Sequence, residues 1–396
     1  MSTTNELFVL PFDESLGSLT MVERYWRLQD KHPVARVMTS TGDEAWLVSR
    51  FEDVKFLLAD RRLGRSHPDP GKAPRLYASL GGGPSMKFET EIAEHDVIRK
   101  VITAPFSPGH AAAVRPFAEA TANELLDAIM VGPIPVDCYS TYAVPLLERV
   151  TARHLGLPPG FTIPNDEILR FLESTEVLTC ANVSSFARQA NGDVNGLTKF
   201  AVELLAAKRA DPGDDVLSEL VRAQDGPGLL DEGQVLYTTL VLLMSANGST
   251  IVRIGTGVGL LQAYPEQYAM LVRDPSLVSS AVDEIMRFSN GIYDPSIRYA
   301  RTDLELHDVL ISAGDLVLLD ITSAHCDPRV FPDPLVFDIT RRPNRNIGFG
   351  HGSSRCAGVT LARLNLETAF GTLARRCVSL PFIQPSPPRD RPLAIW

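Results

Sequence analysis

Long uninterrupted apolar runs are missing from this 396-residue chain. None approaches the roughly 18 residues that suggest a membrane-spanning helix, and Met1 to Leu10 has no basic stretch followed by an apolar core. Neither a secretory signal nor a membrane anchor is expected, which places the protein in the cytoplasm. Cysteine is scarce: Cys138, Cys180, Cys326, Cys356 and Cys377 make an odd set of five. Without CxxC or His-rich spacing, they argue against a disulfide framework or a zinc site. Excess positive charge is also lacking. A formal net charge of -10 disfavours nucleic acid, whose binding needs clustered basic groups, and leaves a small molecule as the expected substrate. Neither a solenoid-type repeat nor a low-complexity linker is present.

What is there suits one large core, with 44% hydrophobic and 22% charged residues. Val34 to Arg50 reads as a strand pair turning at Thr41-Gly42-Asp43, followed by a helix with Phe51, Val54 and Leu58 on one face. From Glu94 onward helical periodicity dominates, broken by Pro/Gly-rich stretches at Gly156–Pro164 and Asp211–Asp215. The expectation is a mainly α, single-domain chain spanning 1–396. Its β-rich N-terminal part covers about 30–65, its helical core about 94–290, and a cysteine-bearing loop 347–358.

That loop, Phe349-Gly350-His351-Gly352-Ser353-Ser354-Arg355-Cys356-Ala357-Gly358, presents Cys356 at the start of a helix carrying Leu366, Phe370 and Leu373 at i, i+4 and i+7. A helix N-terminus favours the thiolate, the form that binds metal. Gly352 suits a tight turn, Gly358 a close backbone approach to sulfur, and Phe349 an apolar shield. The bland alternative is a buried structural cysteine. The pattern resembles the cytochrome P-450 heme signature Phe-x-x-Gly-x-x-x-Cys-x-Gly, and the likeness runs from Trp46 to Cys377. It implies a helical prism with a small β lobe and heme b held by Cys356, with Phe349, Gly350, Ser354 and Gly358 in the cofactor loop.

Glu284 and Arg287, spaced i, i+3, are by themselves an ordinary helical ion pair. The resemblance makes them the family's Glu-x-x-Arg, paired with Arg341 in a network that braces the heme side. His325-Cys326 departs from the family's usual Asn-Arg. His95 and Arg99, at i, i+4, and Arg298 resemble the family's propionate-binding residues; the alternative is a solvated basic face. Two residues before the cysteine the family usually has His or Arg, where this chain has Ser354.

Leu240 to Gly259 reads as a buried central helix with a polar middle, Ser245-Ala246-Asn247-Gly248-Ser249-Thr250. The family usually places Ala-Gly-x-(Asp/Glu)-Thr-Thr there. Ala246 then falls beside the cofactor, Gly248 replaces the acid, and Ser249 replaces the key threonine. A glycine inside a helix costs about 1 kcal/mol relative to alanine, which points either to a ligand or water beside Gly248 or to close helix packing.

The resemblance implies a heme-thiolate monooxygenase that inserts one atom of dioxygen into its substrate, with Ser249, Thr250 and Asn247 organising water. No flavin or iron-sulfur motif occurs, so electrons are expected from ferredoxin and its reductase. The Ala-, Pro- and Arg-rich style resembles actinobacterial secondary metabolism and antibiotic biosynthesis. There substrates are polyketides, aryl acids or peptides, some tethered to an acyl or peptidyl carrier protein. Substrate contacts are expected from Ser66–Lys87, Phe161–Phe200, the central helix, Ile292–Ile297 and the C-terminal loop. The missing acid also suits a peroxygenase, dehydratase or aryl-coupling enzyme. A non-catalytic heme or carrier-binding module is a further alternative.

Overall fold

The structure is a computed structural model that describes residues 7–10, 26–78, 82–165, 168, 196–226, 228–288 and 295–383. Most of the expected substrate segment Phe161–Phe200 lies outside those residues, as do 79–81, 289–294 and the C-terminal 384–396.

The strand pair forms as expected. Strands β1 (Phe8–Val9), β2 (Val34–Met38) and β3 (Glu44–Val48) precede helix α1 (Phe51–Ala59) and β4 (Leu63–Gly64). β2 and β3 pair antiparallel with Val34 opposite Val48 and Met38 opposite Glu44. The sheet is not an N-terminal unit, however. Strands β5 (Ser296–Ala300) and β8 (Leu316–Leu319) enter it from late in the chain, giving the order β1-β2-β3-β8-β5-β4, while β6 (Leu304–Leu306) and β7 (Val309–Ile311) form a separate hairpin. β8 is buried on both faces, and its side chains alternate between two clusters. Val317 and Leu319 pack with Phe51 and Phe331, whereas Leu316 and Leu318 pack with Leu47 and Tyr299.

The helices are α2 (Glu91–Thr103), α3 (Pro108–Val131), α4 (Val144–Leu155), α5 (Gly196–Ala210), α6 (Val216–Asp225), α7 (Glu232–Ser245), α8 (Gly248–Ala263), α9 (Pro265–Arg273), α10 (Val278–Phe288), α11 (Ile321–His325) and α12 (Val359–Arg376). Asp231 and Gln234 form a reciprocal capping box that starts α7, and Asp215 caps α6 through the Ser218 N–H. α12 packs against α3, α8 and α10, and Leu366, Phe370 and Leu373 bury their shared face in the main core. Burying each such side chain contributes about 1.5–3 kcal/mol.

The expected continuous central helix is broken. α7 ends at Ser245 and α8 begins at Gly248, so Ala246 and Asn247 form a turn between them. Taken together, Glu232–Ala263 is long and apolar enough to cross a membrane, by length and composition alone. Ser245, Asn247, Ser249, Thr250 and Arg253 interrupt it, so the reading that no uninterrupted apolar run approaches 18 residues still stands. The stretch is mostly buried within the protein, with Val235, Leu240, Ile254 and Val258 fully enclosed, as a core helix requires.

Candidate active site

Cys356 sits in the turn before α12, whose first residue is Val359. Its N–H donates to the Phe349 carbonyl at 2.7 Å, which closes the loop at its base. Gly350 and Gly352 adopt positive φ of 73° and 57°, and a Cβ on Gly352 would collide with Ala59 of α1. The tight-turn reading of Gly352 therefore has a cause in the packing. The Gly358 backbone approaches the sulfur as expected, its N–H interacting with Cys356, and a Cβ there would meet Phe106 at 3.6 Å and Cys356 Sγ at 4.0 Å, ordinary contact distances. Cys356 is exposed on one side, yet the protein packed behind it pushes the thiol up from its ordinary value. The Gly358 N–H and the charges of Arg99, Arg65 and Arg355 pull the other way. Arg355 is exposed, and its carbonyl accepts from Arg99 Nη1 at 2.6 Å. The backbone of Ser354 lies in a short 3₁₀ turn over Gly352–Ser354.

A buried ion-pair network lies behind the loop. Glu284 and Arg287 are 0% and 1% exposed and meet side-on, at 2.8 Å and 2.7 Å. Arg341 Nε reaches Glu284 at 3.2 Å, and Asn344, unmarked in the sequence reading, donates to the same carboxylate at 3.0 Å. Arg287 also donates to the carbonyls of His325, Pro334 and Val336. Removing one partner from such a pair costs about 3–5 kcal/mol, because the surviving charge stays buried. Arg287 thus ties α10 to the meander that leads into the cysteine loop.

His95 of α2 and Arg298 of β5 line one cleft, whereas Arg99 is not among its lining residues and reaches the cysteine loop at the Arg355 carbonyl. Arg298 is 6% exposed and makes no salt bridge among the described residues; its Nη1 donates to the Ile297 carbonyl at 2.7 Å. Burial, then the charge of Arg65, pulls its guanidinium down to about 9. His95 is also held below its ordinary value, first by burial and then by Arg65 and Arg99. Arg65, Met86, Glu91, His95, Arg298 and Ser353 line one cleft. Arg65, Glu91 and Arg301 were not singled out from the sequence. No sequence signal marks them, because they meet only through tertiary contacts such as the pairing of β4 with β5 at Gly64 and Tyr299.

At the helix break, Asn247 is 3% exposed, and neither its amide nitrogen nor its amide oxygen has a hydrogen-bond partner among the described residues. Gly248 is the first residue of α8 rather than a helix-interior residue, and a Cβ there would meet nothing within 4 Å. Close helix packing is therefore not the reason for glycine. Ser249 is exposed and Thr250 buried, and the Thr250 N–H donates to the Asn247 carbonyl at 3.0 Å.

The chain is similar to known proteins over most of its length. Pentalenolactone synthase of Streptomyces exfoliatus is 33% identical over 390 residues, covering 96% of this chain and 94% of that protein. The chain belongs to the cytochrome P450 family. The family's own model matches residues 210–392. Mycinamicin IV hydroxylase/epoxidase of Micromonospora griseorubida is 34% identical over 379 residues, 94% of this chain and 92% of that one. Among solved structures, substrate-free cytochrome P450 PimD, a polyene macrolide antibiotic pimaricin epoxidase, superposes with a TM-score of 0.73 at 34% identity, covering 89% of each chain. The fold is accordingly the P450 fold, and this P450 is a monooxygenase of the kind found in secondary metabolism, with heme b and no flavin as its cofactor. Bacterial P450s of this kind take small-molecule substrates and electrons from ferredoxin and its reductase. The residues fit that group. A buried arginine without a salt-bridge partner among the described residues suits an anionic edge, and the three arginines near Cys356 favour the anion that metal binding would create, against the burial that raises the free thiol.

Proposed function

We propose that this P450 holds heme through the Cys356 thiolate, neutralises the propionates with His95, Arg99 and Arg298, and oxygenates a small secondary metabolite in the cytoplasm. Heme, when bound, supplies dioxygen activation and oxygen-atom transfer. The observation that carries the reading is Cys356 itself, anchored by its N–H on Phe349 and facing the charges of Arg99, Arg65 and Arg355. A coordinating metal deprotonates a thiol outright, and the arginines favour the resulting anion. Phe349 and Ala246 shield the site, and the turns at Gly350, Ser354 and Gly358 shape the loop. Ser249 and Thr250 hold water and pass protons, with the unpartnered Asn247 amide ordering solvent where the family's acid is replaced by Gly248. Glu284, Arg287 and Arg341 keep the loop in place.

The names of the relatives, a mycinamicin hydroxylase/epoxidase and a pentalenolactone synthase, support a secondary-metabolite substrate. A polyketide, aryl acid or peptide, free or tethered to an acyl or peptidyl carrier protein, fits this class. Two measurements test the reading. Reduced protein with carbon monoxide should give a thiolate-type Soret band that Cys356→Ser abolishes; an imidazole-type band unchanged by that substitution overturns the ligand. Oxygenated product should also form with NADPH, reductase and ferredoxin.

The missing acid at Gly248 favours one second reading. Product made with peroxide but not with electrons would make the enzyme a peroxygenase. A product that gains no oxygen atom would mark a dehydratase or coupling enzyme.

A further inference from the structure

Arg65 carries the charge in this site that the protein itself does not use. Its backbone is fixed on both sides: the Arg65 N–H donates to Glu91 Oε1 at 2.6 Å, and the Ser85 N–H donates to the Arg65 carbonyl at 2.9 Å. Its guanidinium, exposed at the cleft, makes no hydrogen bond or ion pair among the described residues. The nearby carboxylate is already engaged. Glu91 is buried, and its Oε2 accepts from Ser66 Oγ and from Arg301 Nη1, the latter at 3.0 Å. Arg301 is held in turn by the Phe88 carbonyl at 2.9 Å and lies 4.2 Å from the Phe88 ring centroid. Gly64 makes room for this frame, since a Cβ there would collide with Glu91 Oε2.

The strand register sets where Arg65 stands. β4 pairs antiparallel with β5, Leu63 opposite Ala300 and Gly64 opposite Tyr299, so Arg65 leaves the end of β4 beside the strand that carries Arg298. The charge of Arg65 acts on Arg298, on His95 and on the Cys356 sulfur, so one guanidinium stands among all three. All but Cys356 also line the same cleft, with Ser353 beside them. Two arginines lining one cleft and repelling each other, with Glu91 hydrogen-bonded to Arg301, suit an external anion of more than one charge.

We propose that Arg65 is a further heme-propionate ligand, standing in for the basic side chain that the family usually carries where this chain has Ser354, and that Glu91 and Arg301 are its positioning residues. The inference rests on the heme reading above. It assigns Arg65 a role that only an anionic partner reveals.

Heme transfer to an apo-globin acceptor tests it, with natural heme and with heme dimethyl ester, whose propionates carry no charge. Arg65→Ala should release natural heme about tenfold to a hundredfold faster than the parent, and Arg65→Lys should lie between them. Adding Ser354→His to Arg65→Ala should slow release again. With the dimethyl ester, parent and Arg65→Ala should release at the same rate. Glu91→Gln should speed release of natural heme and add little on top of Arg65→Ala. Equal rates for parent and Arg65→Ala with natural heme overturn the proposal. So does a difference that persists with the ester, because Arg65 would then act through the fold. A parent protein that takes up no heme, seen as a missing Soret band, overturns the heme reading itself and the proposal with it.

Discussion

His325 Nε2 accepts the Ile347 N–H at 2.8 Å, joining α11 to the first residues of the cysteine loop. The histidine is fully enclosed and its carbonyl accepts from Arg287, so one residue links the ion-pair network to the loop. Burial, then the charges of Arg287 and Arg253, holds its imidazole down to about 3, which keeps it neutral and able to accept.

His325→Phe fills similar volume but leaves the Ile347 N–H without its acceptor. An orphaned buried donor costs about 1–3 kcal/mol, so the urea midpoint should fall accordingly. The thiolate-type carbon monoxide band should weaken in step. His325→Asn, which restores a side-chain acceptor, should recover part of both. If His325→Phe matches the parent in midpoint and spectrum, this hydrogen bond does not brace the loop.

Acid should destabilise the fold through two histidines. Burial is the main cause that holds His154 down to about 4 and His325 to about 3, against an ordinary 6.5. The unfolded chain therefore takes up protons first. Their contribution is complete above pH 6.5 and is lost as pH falls through that value toward the folded-state values. Asp320 works the other way, because burial raises its carboxyl to about 7 from 3.8, and its contribution weakens as pH rises through that interval. Urea midpoints between pH 4 and 6.5 should rise less steeply with pH in His154→Leu than in the parent. They should rise more steeply in Asp320→Asn. Identical slopes in all three proteins would contradict the assignment.

Much of this was readable from local pattern. Gly42 marked the turn of the strand pair, and the spacing of Phe349, Gly352, Cys356 and Leu366 marked both the loop and the helix behind it. What escaped was non-local. Glu91, Arg65 and Arg301 meet from segments 26 and 210 residues apart, and nothing in any one segment announces the pairing. β5 and β8 likewise join the N-terminal sheet from the far side of the helical core. The break at Ala246–Asn247 is invisible in the sequence for a different reason. Apolar periodicity continues across it, and a turn of two residues does not disturb that pattern.

The same substitution at two glycines of α8 should give opposite results. A Cβ at Gly257 would collide with the buried ring of Phe370, whereas one at Gly248 would meet nothing. Gly257→Ala should therefore destabilise by about 1–3 kcal/mol through overpacking. Gly248→Ala should be neutral or stabilise by up to about 1 kcal/mol, since alanine is the better helix former. Thermal midpoints measured side by side decide it, and a loss at Gly248 equal to that at Gly257 would mean that the space beside Gly248 is needed.

That open space bears on the chemistry. With Gly248 in place of the family's acid, the groups left at the helix break are the exposed Ser249 hydroxyl, buried Thr250 and the unpartnered Asn247 amide. If Ser249 orders the water that delivers protons, Ser249→Ala should divert electrons to peroxide with substrate affinity nearly unchanged. General acid/base assistance is typically worth about 10² to 10⁴ in rate, so the loss of product per NADPH should be large. Ser249→Thr keeps the hydroxyl and should preserve coupling. Gly248→Glu has room for its first carbon and should raise coupling if a missing proton donor limits the parent. Coupling unchanged in Ser249→Ala, with peroxide at the parental level, would remove Ser249 from proton delivery and leave the substrate's own hydroxyl or carboxyl as the donor.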